Sequence, residues 1–362
     1  MRPLPSRADR PTLAVVGATG AVGRTALSVL SMREDQWGEI RLAAAPEDVG
    51  EELVVRGEAL TVQPLTPEFF DGVAVAMFDI PPEVTPPWAT TAAERGAVVV
   101  DNGTALRQDP DVPLIVAEVN PTKVADRPKG IVANPGAAVL TIIDALAVLH
   151  SGWELTELVV SVYQAASGAG TRGMERLYDE LAAVAGERTL GQSPGDVRRH
   201  IEYELGTDSP FPAPLAMNVI PWVGTHAGDG WTSEEVKIRH ETRKILGKPD
   251  LRVSATAIRV PVVTSHSVAV HAAFANRIPV DDARQALIQA PAVVVLDDPE
   301  TLDFPTPSDA VGADPRFVGR MRQALDFPHT LDFFICGDNL RKGSALNMVQ
   351  TAELICAELT GR

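Results

Sequence analysis

Three glycines near the N-terminus, Gly17, Gly20 and Gly23, have the G-x-x-G-x-x-G spacing that lets a backbone loop approach a pyrophosphate. The loop Gly17-Ala18-Thr19-Gly20-Ala21-Val22-Gly23 follows the apolar run Leu13-Ala14-Val15-Val16 and precedes a helical stretch over residues 24–32. In that setting a phosphate would meet the N-terminus of a helix. The same spacing also suits a tight strand-to-helix turn that holds no nucleotide. A second segment, Ile131-Val132-Ala133-Asn134-Pro135-Gly136-Ala137, likewise leaves an apolar strand and opens a helix. Its last residue carries a methyl group, which cannot act as a nucleophile.

Other chemistries find little support. His200 and Glu202 are two apart on a helix-like stretch, a spacing that puts them on different faces. His226 and His240 lack companions in a metal pattern, so no metal is expected. No Gly-x-Ser-x-Gly elbow occurs. The two cysteines, Cys336 in a late strand and Cys356 on a terminal helix, read as core residues.

The elements that must position these groups follow from the apolar pattern. Strands are expected over residues 39–44, 73–78, 97–100 and 114–116, with a helix over 90–95. Alternating strands and helices imply a parallel sheet with right-handed crossovers. Beyond Leu155 the strand-like runs lengthen, over 158–163, 251–261, 267–274 and 330–336, and imply a mainly antiparallel second sheet. Residues 137–149 read as a buried helix and 345–359 as a terminal amphipathic helix. Residues 191–214 and 307–314 read as loops.

A chain of 362 residues suits two domains. The expected division is a Rossmann-like domain over 1–135, completed by 338–362, and an α+β domain over 136–337. The net charge of -16 argues against nucleic acid or an anionic membrane as partner, since both need a basic surface. Two cysteines make no disulfide framework, which fits a reducing cytoplasm. The Arg- and Pro-rich residues 1–11 read as a frayed tail rather than a signal peptide.

The chain resembles the aspartate-semialdehyde dehydrogenases. The resemblance runs nearly its whole length. It rests on the glycine loop, Val99-Val100-Asp101-Asn102 with Arg107, Tyr163-Gln164-Ala165-Ala166-Ser167-Gly168-Ala169-Gly170 and Glu241-Thr242-Arg243-Lys244. Arg259-Val260-Pro261-Val262 and Asp338-Asn339-Leu340-Arg341-Lys342-Gly343 continue it in the family's order. By this resemblance Arg259 grips a substrate carboxylate, Glu241 holds an α-ammonium, His266 is the acid/base and Gln164 orients the reacting centre. Arg107 and Lys237 would bind phosphate or a second carboxylate. Gly17, Thr19, Gly20, Ala21, Val22, Gly23, Ser167, Gly168 and Asn339 would touch a nucleotide. Each has a plainer alternative: an Arg259–Glu241 ion pair, a Lys237–Glu241 helix pair, or a core histidine.

The departures are as informative. The family's Asn-Pro-Asn-Cys stretch reads Asn134-Pro135-Gly136-Ala137, so the thioacyl intermediate of that mechanism is not expected. Where members carry Ser and Arg for the 2′-phosphate of NADP, this chain has Ala45-Pro46-Glu47-Asp48. An acidic residue there repels that phosphate and could accept from the ribose hydroxyls of NAD, or simply form a solvated turn. Asp79-Ile80-Pro81-Pro82-Glu83 replaces a Gly-rich loop, and its prolines donate no N–H. NAD or NADP binding is therefore open, with a nucleotide site that reads as degraded. The expected function is non-redox chemistry on a small anionic, aspartate-derived or acyl-phosphate-like substrate. The alternatives are a dehydrogenase acting without a thioacyl intermediate, or a silent paralogue serving as partner or regulator. A homodimer or homotetramer is implied by the resemblance.

Overall fold

The computed structural model describes residues 9–361, so most of the expected N-terminal tail, residues 1–8, lies outside the described residues. The chain divides into two compact units: residues 1–140, 244–248 and 341–362 form the first, and residues 141–243 and 249–340 form the second.

The first unit holds a seven-stranded sheet of order β3-β4-β2-β1-β5-β6-β7. Its strands are β1 (Thr12–Val16), β2 (Ile40–Ala43), β3 (Glu52–Val55), β4 (Glu58–Gln63), β5 (Val73–Phe78), β6 (Val98–Asp101) and β7 (Ile131–Ala133). All pairings are parallel except the β3–β4 hairpin. Its turn, Arg56-Gly57, has positive φ at both residues, as a tight hairpin turn requires. That hairpin was not expected. Conversely, the expected strand over 114–116 is only an isolated bridge from Leu114 to Ala133. Helix α1 (Ala21–Met32) follows β1, and α2 (Thr85–Glu94) starts earlier than expected because Pro86 and Pro87 suit a first turn.

Helix α3 (Ala137–Trp153) opens at the residue where the sequence drew attention. The second unit has α4 (Gly170–Val184), α5 (Asp196–Leu205) and residues 233–243 of α6 (Ser233–Leu246). Further helices are α7 (Val280–Ile288) and α8 (Pro307–Ala310). Thus both expected loops contain helix, and the Asp196 carboxylate organises the start of α5 by accepting from the N–H groups of Gly191, Gln192 and Ser193. The six-stranded sheet has order β11-β12-β13-β10-β8-β9. Its strands are β8 (Leu155–Gln164), β9 (Arg252–Arg259), β10 (His266–Phe274), β11 (Val293–Val295), β12 (Arg316–Gln323) and β13 (Thr330–Gly337). Three pairings are antiparallel, while β8–β9 and β11–β12 are parallel, so the sheet is mixed.

Helix α9 (Leu346–Leu359) returns to the first unit, entered through a wide π turn at Arg341–Ala345. Its Leu346, Val349, Ala352, Ile355 and Cys356 join the core formed by β1, β2, β5 and α1. Among the described residues no helix is long and apolar enough to cross a membrane.

Candidate functional site

In the first unit, β1 sits between β2 and β5, so the chain's crossovers diverge there and leave a crevice at the strand ends. The glycine loop fills that point. Gly17 has φ +91°, and a Cβ there would collide with the carbonyl oxygen of Asp79. A Cβ at Gly23 would collide with the carbonyl oxygen of Gly17. These two glycines are required by the turn itself. Gly20 is different: φ is -66°, and the nearest atom to an added Cβ is 3.4 Å away. Nothing in the protein requires glycine at this N-cap of α1. Its missing side chain leaves the half-buried helix N-terminus, with Ala21 and Val22 in the first turn, open to an anionic group.

A cavity of about 660 Å³ adjoins the loop. Apolar groups dominate its wall, including Ala44, Pro46, Leu65, Ile80, Pro81 and Trp88, and among the described residues no Lys or Arg lines it. Its size and wall fit an adenosine, and the open face of Gly20 fits the attached phosphates. The Thr19 hydroxyl donates to Asp48 Oδ2 at 2.6 Å, so Asp48 is tied to the loop rather than being a free turn residue. Arg24, the nearest cation in sequence, is engaged by the Thr19 carbonyl and by Glu51. Pro81 accepts from the N–H of both Val84 and Thr85, which makes the proline segment the lead-in to α2.

Beside the loop lies a partly buried polar chain. Asn102 Nδ2 donates to Asp79 at 2.7 Å, Asn134 Nδ2 donates to Asn102 Oδ1 at 2.7 Å, and Asn347 Nδ2 donates to Asn134 Oδ1 at 2.6 Å. Burial raises the pKa of Asp79. Asp101 is fully buried; Oδ1 accepts the Gly103 N–H, but Oδ2 has no partner. Burial pushes its pKa up to about 6, against the pull of the Gly103 N–H and of Arg107. Arg107 donates to the Asn102 carbonyl at 2.6 Å. Lys244 braces the same segment by donating to the carbonyls of Arg107, Asp109 and Val112, each at 2.8 Å. Ala137 is half-buried at the head of α3.

In the second unit, topology gathers the remaining candidates. Gln164 and Arg259 are register partners at the ends of the parallel strands β8 and β9. Antiparallel β10 begins at the same edge with His266. The backbone of Ala165 joins two of them: its N–H donates to His266 Nδ1 at 3.2 Å, and its carbonyl accepts from Arg259 Nη1 at 2.6 Å. Because Nδ1 accepts a backbone N–H, the imidazole proton sits on Nε2. Burial, reinforced by the Arg259 charge, pushes the His266 pKa down to about 3. Burial likewise lowers that of Arg259 to about 10, with Glu234 opposing. The guanidinium carbon also lies 5.8 Å from the centre of the Phe211 ring. A Cβ on Gly168 would come within 2.5 Å of Arg259 Nη1 and 3.4 Å of His266, so this glycine makes room for both.

Glu234 is the residue that the sequence did not single out. It accepts from Gln164 Nε2 at 3.0 Å and from Lys237 Nζ at 3.3 Å. Lys237 thus pairs with Glu234, one turn back along α6, and Glu241 is fully buried on the same helix. The signal that locates Glu234 is the capping box of Thr232 and Glu235, which fixes the start of α6 and ties it to β9 through Ala257. Ser167 and Asn339, expected on the cofactor side, meet each other: Ser167 Oγ donates to Asn339 Oδ1 at 3.0 Å. Both cysteines are buried, and burial raises the Cys336 thiol to about 11. Among the described residues no cluster of three or more His, Cys, Asp and Glu could hold a metal ion.

Family models match both parts of the chain. A semialdehyde dehydrogenase NAD-binding domain matches residues 12–127, and a semialdehyde dehydrogenase dimerisation domain matches residues 146–342. The chain belongs to the semialdehyde dehydrogenase family. It is 39% identical to the aspartate-semialdehyde dehydrogenase of Streptomyces akiyoshiensis, over 96% of this chain and 99% of that protein. It is 40% identical to the Corynebacterium glutamicum enzyme of the same name, over 95% and 99%. Its fold matches the crystal structure of aspartate semialdehyde dehydrogenase II from Vibrio cholerae complexed with ASA, with a TM-score of 0.87 at 34% identity over 96% and 98% of the two chains. For this family member, the match to a dimerisation domain supports assembly into oligomers.

Proposed function

We propose that this family member binds a small, carboxylate-bearing, aspartate-derived substrate and polarises its carbonyl without forming a covalent acyl-enzyme. The observation that carries this reading is the shared Ala165 backbone, which presents the Arg259 guanidinium beside a neutral His266. Arg259 supplies a two-pronged partner for a carboxylate. His266 offers an Nε2–H donor that stays neutral at physiological pH and can hydrogen-bond a carbonyl oxygen as negative charge develops there. Such polarisation serves addition to the carbonyl or proton loss beside it. Gln164, braced by Glu234, orients the bound group. The residue that opens α3 is Ala137 and both cysteines are buried, so a thioacyl step has no sulfur to use. The protein acts as a cytoplasmic homodimer or homotetramer.

The cavity beside Gly20 favours a second reading, direct hydride exchange with an unattached carbonyl. A nicotinamide dinucleotide held there would supply the hydride chemistry. With Asp48 at the loop and no cation in the wall, NAD is preferred over NADP.

Calorimetric titration with L-aspartate β-semialdehyde, paired with NMR of the mixture, tests the first reading. Binding should weaken about tenfold or more in Arg259→Ala, since hydrogen bonds to charged groups contribute about 1.5–3 kcal/mol. Turnover should need neither nucleotide nor phosphate. Phosphate-dependent reduction of NAD or NADP above a heat-inactivated control would overturn it.

A further inference from the structure

We infer that the hydroxyl of Ser265 is a hydrogen-bonding group for the ligand of the Arg259–His266 site, held there at the expense of local stability. The inference rests on the reading above for the existence of that ligand.

Eight non-glycine residues among those described have positive φ, and Ser265, at +82°, is the one that is buried. The other seven are partly or fully exposed, where solvent and chain freedom tolerate the conformation. A buried side chain in this region is strained, and such strain persists only where the surroundings over-determine it. Here they do. The Ser265 N–H donates to Asn339 Oδ1 at 2.9 Å, and that same oxygen accepts from Ser167 Oγ. On the other side His266 begins β10, paired with Gly337 of β13. The backbone of Ser265 is therefore clamped at both ends.

The hydroxyl gains nothing in return from the protein. Ser265 is 1% exposed, and its Oγ has no hydrogen-bond partner among the described residues. A buried orphan of this kind is destabilising, and glycine would remove both the orphan and the strain. Serine at this position is thus doubly unfavourable to the folded chain. It lies next to the imidazole that, with the substrate-gripping arginine, is held by the backbone of Ala165. A hydroxyl both donates and accepts, so it complements the carbonyl or hydroxyl oxygen of a small carboxylate-bearing substrate.

The test uses Ser265→Gly and Ser265→Ala in the full-length protein, with L-aspartate β-semialdehyde as the probe. Differential scanning calorimetry should show Ser265→Gly melting about 2 °C or more above the parent. Ser265→Ala keeps the left-handed strain and should gain less. Both should bind the probe about threefold to tenfold more weakly, the loss expected for one neutral hydrogen bond. If both variants bind as the parent does while Arg259→Ala does not, the role of the hydroxyl is overturned and the substrate reading stands. If the parent itself fails to bind the probe, both fall together. A Ser265→Gly protein that melts below the parent also overturns the proposal, because the native conformation would then be unstrained.

Discussion

His266 and Arg259 are held by the two ends of one residue, with the Ala165 N–H on the imidazole and the Ala165 carbonyl on the guanidinium. The cation cannot move away without giving up that bond. Burial and this neighbour together keep the ring neutral, with a pKa near 3. Replacing Arg259 with Met should raise the His266 pKa as read by NMR. The value should stay below 6.5, because burial is the larger cause. The linkage has a definite sign. The unfolded chain binds the proton first, so stability is lost as pH falls from about 6.5 toward about 3, at up to ~1.4 kcal/mol per pH unit. A His266 resonance that titrates near 6.5 in the folded parent would contradict this arrangement.

The three loop glycines should separate by experiment. Gly17→Ala and Gly23→Ala each drive a methyl group into backbone carbonyl oxygen and should cost several kcal/mol or prevent folding. Gly20→Ala meets nothing closer than 3.4 Å and should leave the melting temperature within about 2 °C of the parent. Its effect should fall on nucleotide affinity, measured calorimetrically with NAD, because the methyl group occupies the approach to the helix N-terminus. Equal NAD binding by Gly20→Ala and the parent would mean that the loop is only a turn.

Much of this was legible in the sequence, and the reasons are physical. The parallel sheet and its glycine loop announce themselves because buried strands are continuous apolar runs and the turn needs glycine at positions 17 and 23. The β3–β4 hairpin was hidden because its turn is Arg56-Gly57 and its strands carry the exposed Glu52 and Glu58. Helix α5 was hidden because the Ser-Pro-Gly segment before it reads as loop, although Asp196 in its first turn gathers the N–H groups of that segment. The semialdehyde dehydrogenase resemblance marked Gln164, Arg259 and His266, but not Glu234. That residue matters through a bond to Gln164 seventy positions away, and no local spacing reports such a contact. Asp48 shows the opposite limit: its acidity was visible, but its bond to Thr19 depends on how β1 and β2 lie side by side.

Asp101 should titrate against the usual carboxylate pattern. Its folded pKa is raised from 3.8 to about 6, so its contribution is fully present below about 3.8 and is lost as pH rises through about 6. The cost at higher pH comes from a buried charge whose Oδ2 has no partner. Asp101→Asn should therefore be more stable than the parent at pH 8, by about 1–3 kcal/mol, and lose most of that advantage at pH 4. Urea midpoints at the two values provide the comparison. An advantage that does not change with pH would place its origin in packing rather than in charge.

Ala137→Cys should confer a covalent reactivity that the parent lacks. The position is half-buried and opens α3, where a helix N-terminus lowers a thiol pKa. The native thiols provide little background, since both are buried and that of Cys336 is raised to about 11. Incubation with acetyl phosphate, followed by intact-mass spectrometry, should show a single acetyl adduct on the variant that hydroxylamine removes. Peptide mapping should place it at position 137, and the parent should show none. An adduct on the parent at any side chain would mean that another nucleophile has taken over the thiol's role. Reaction of the variant at Cys336 alone would mean that the head of α3 does not activate a thiol.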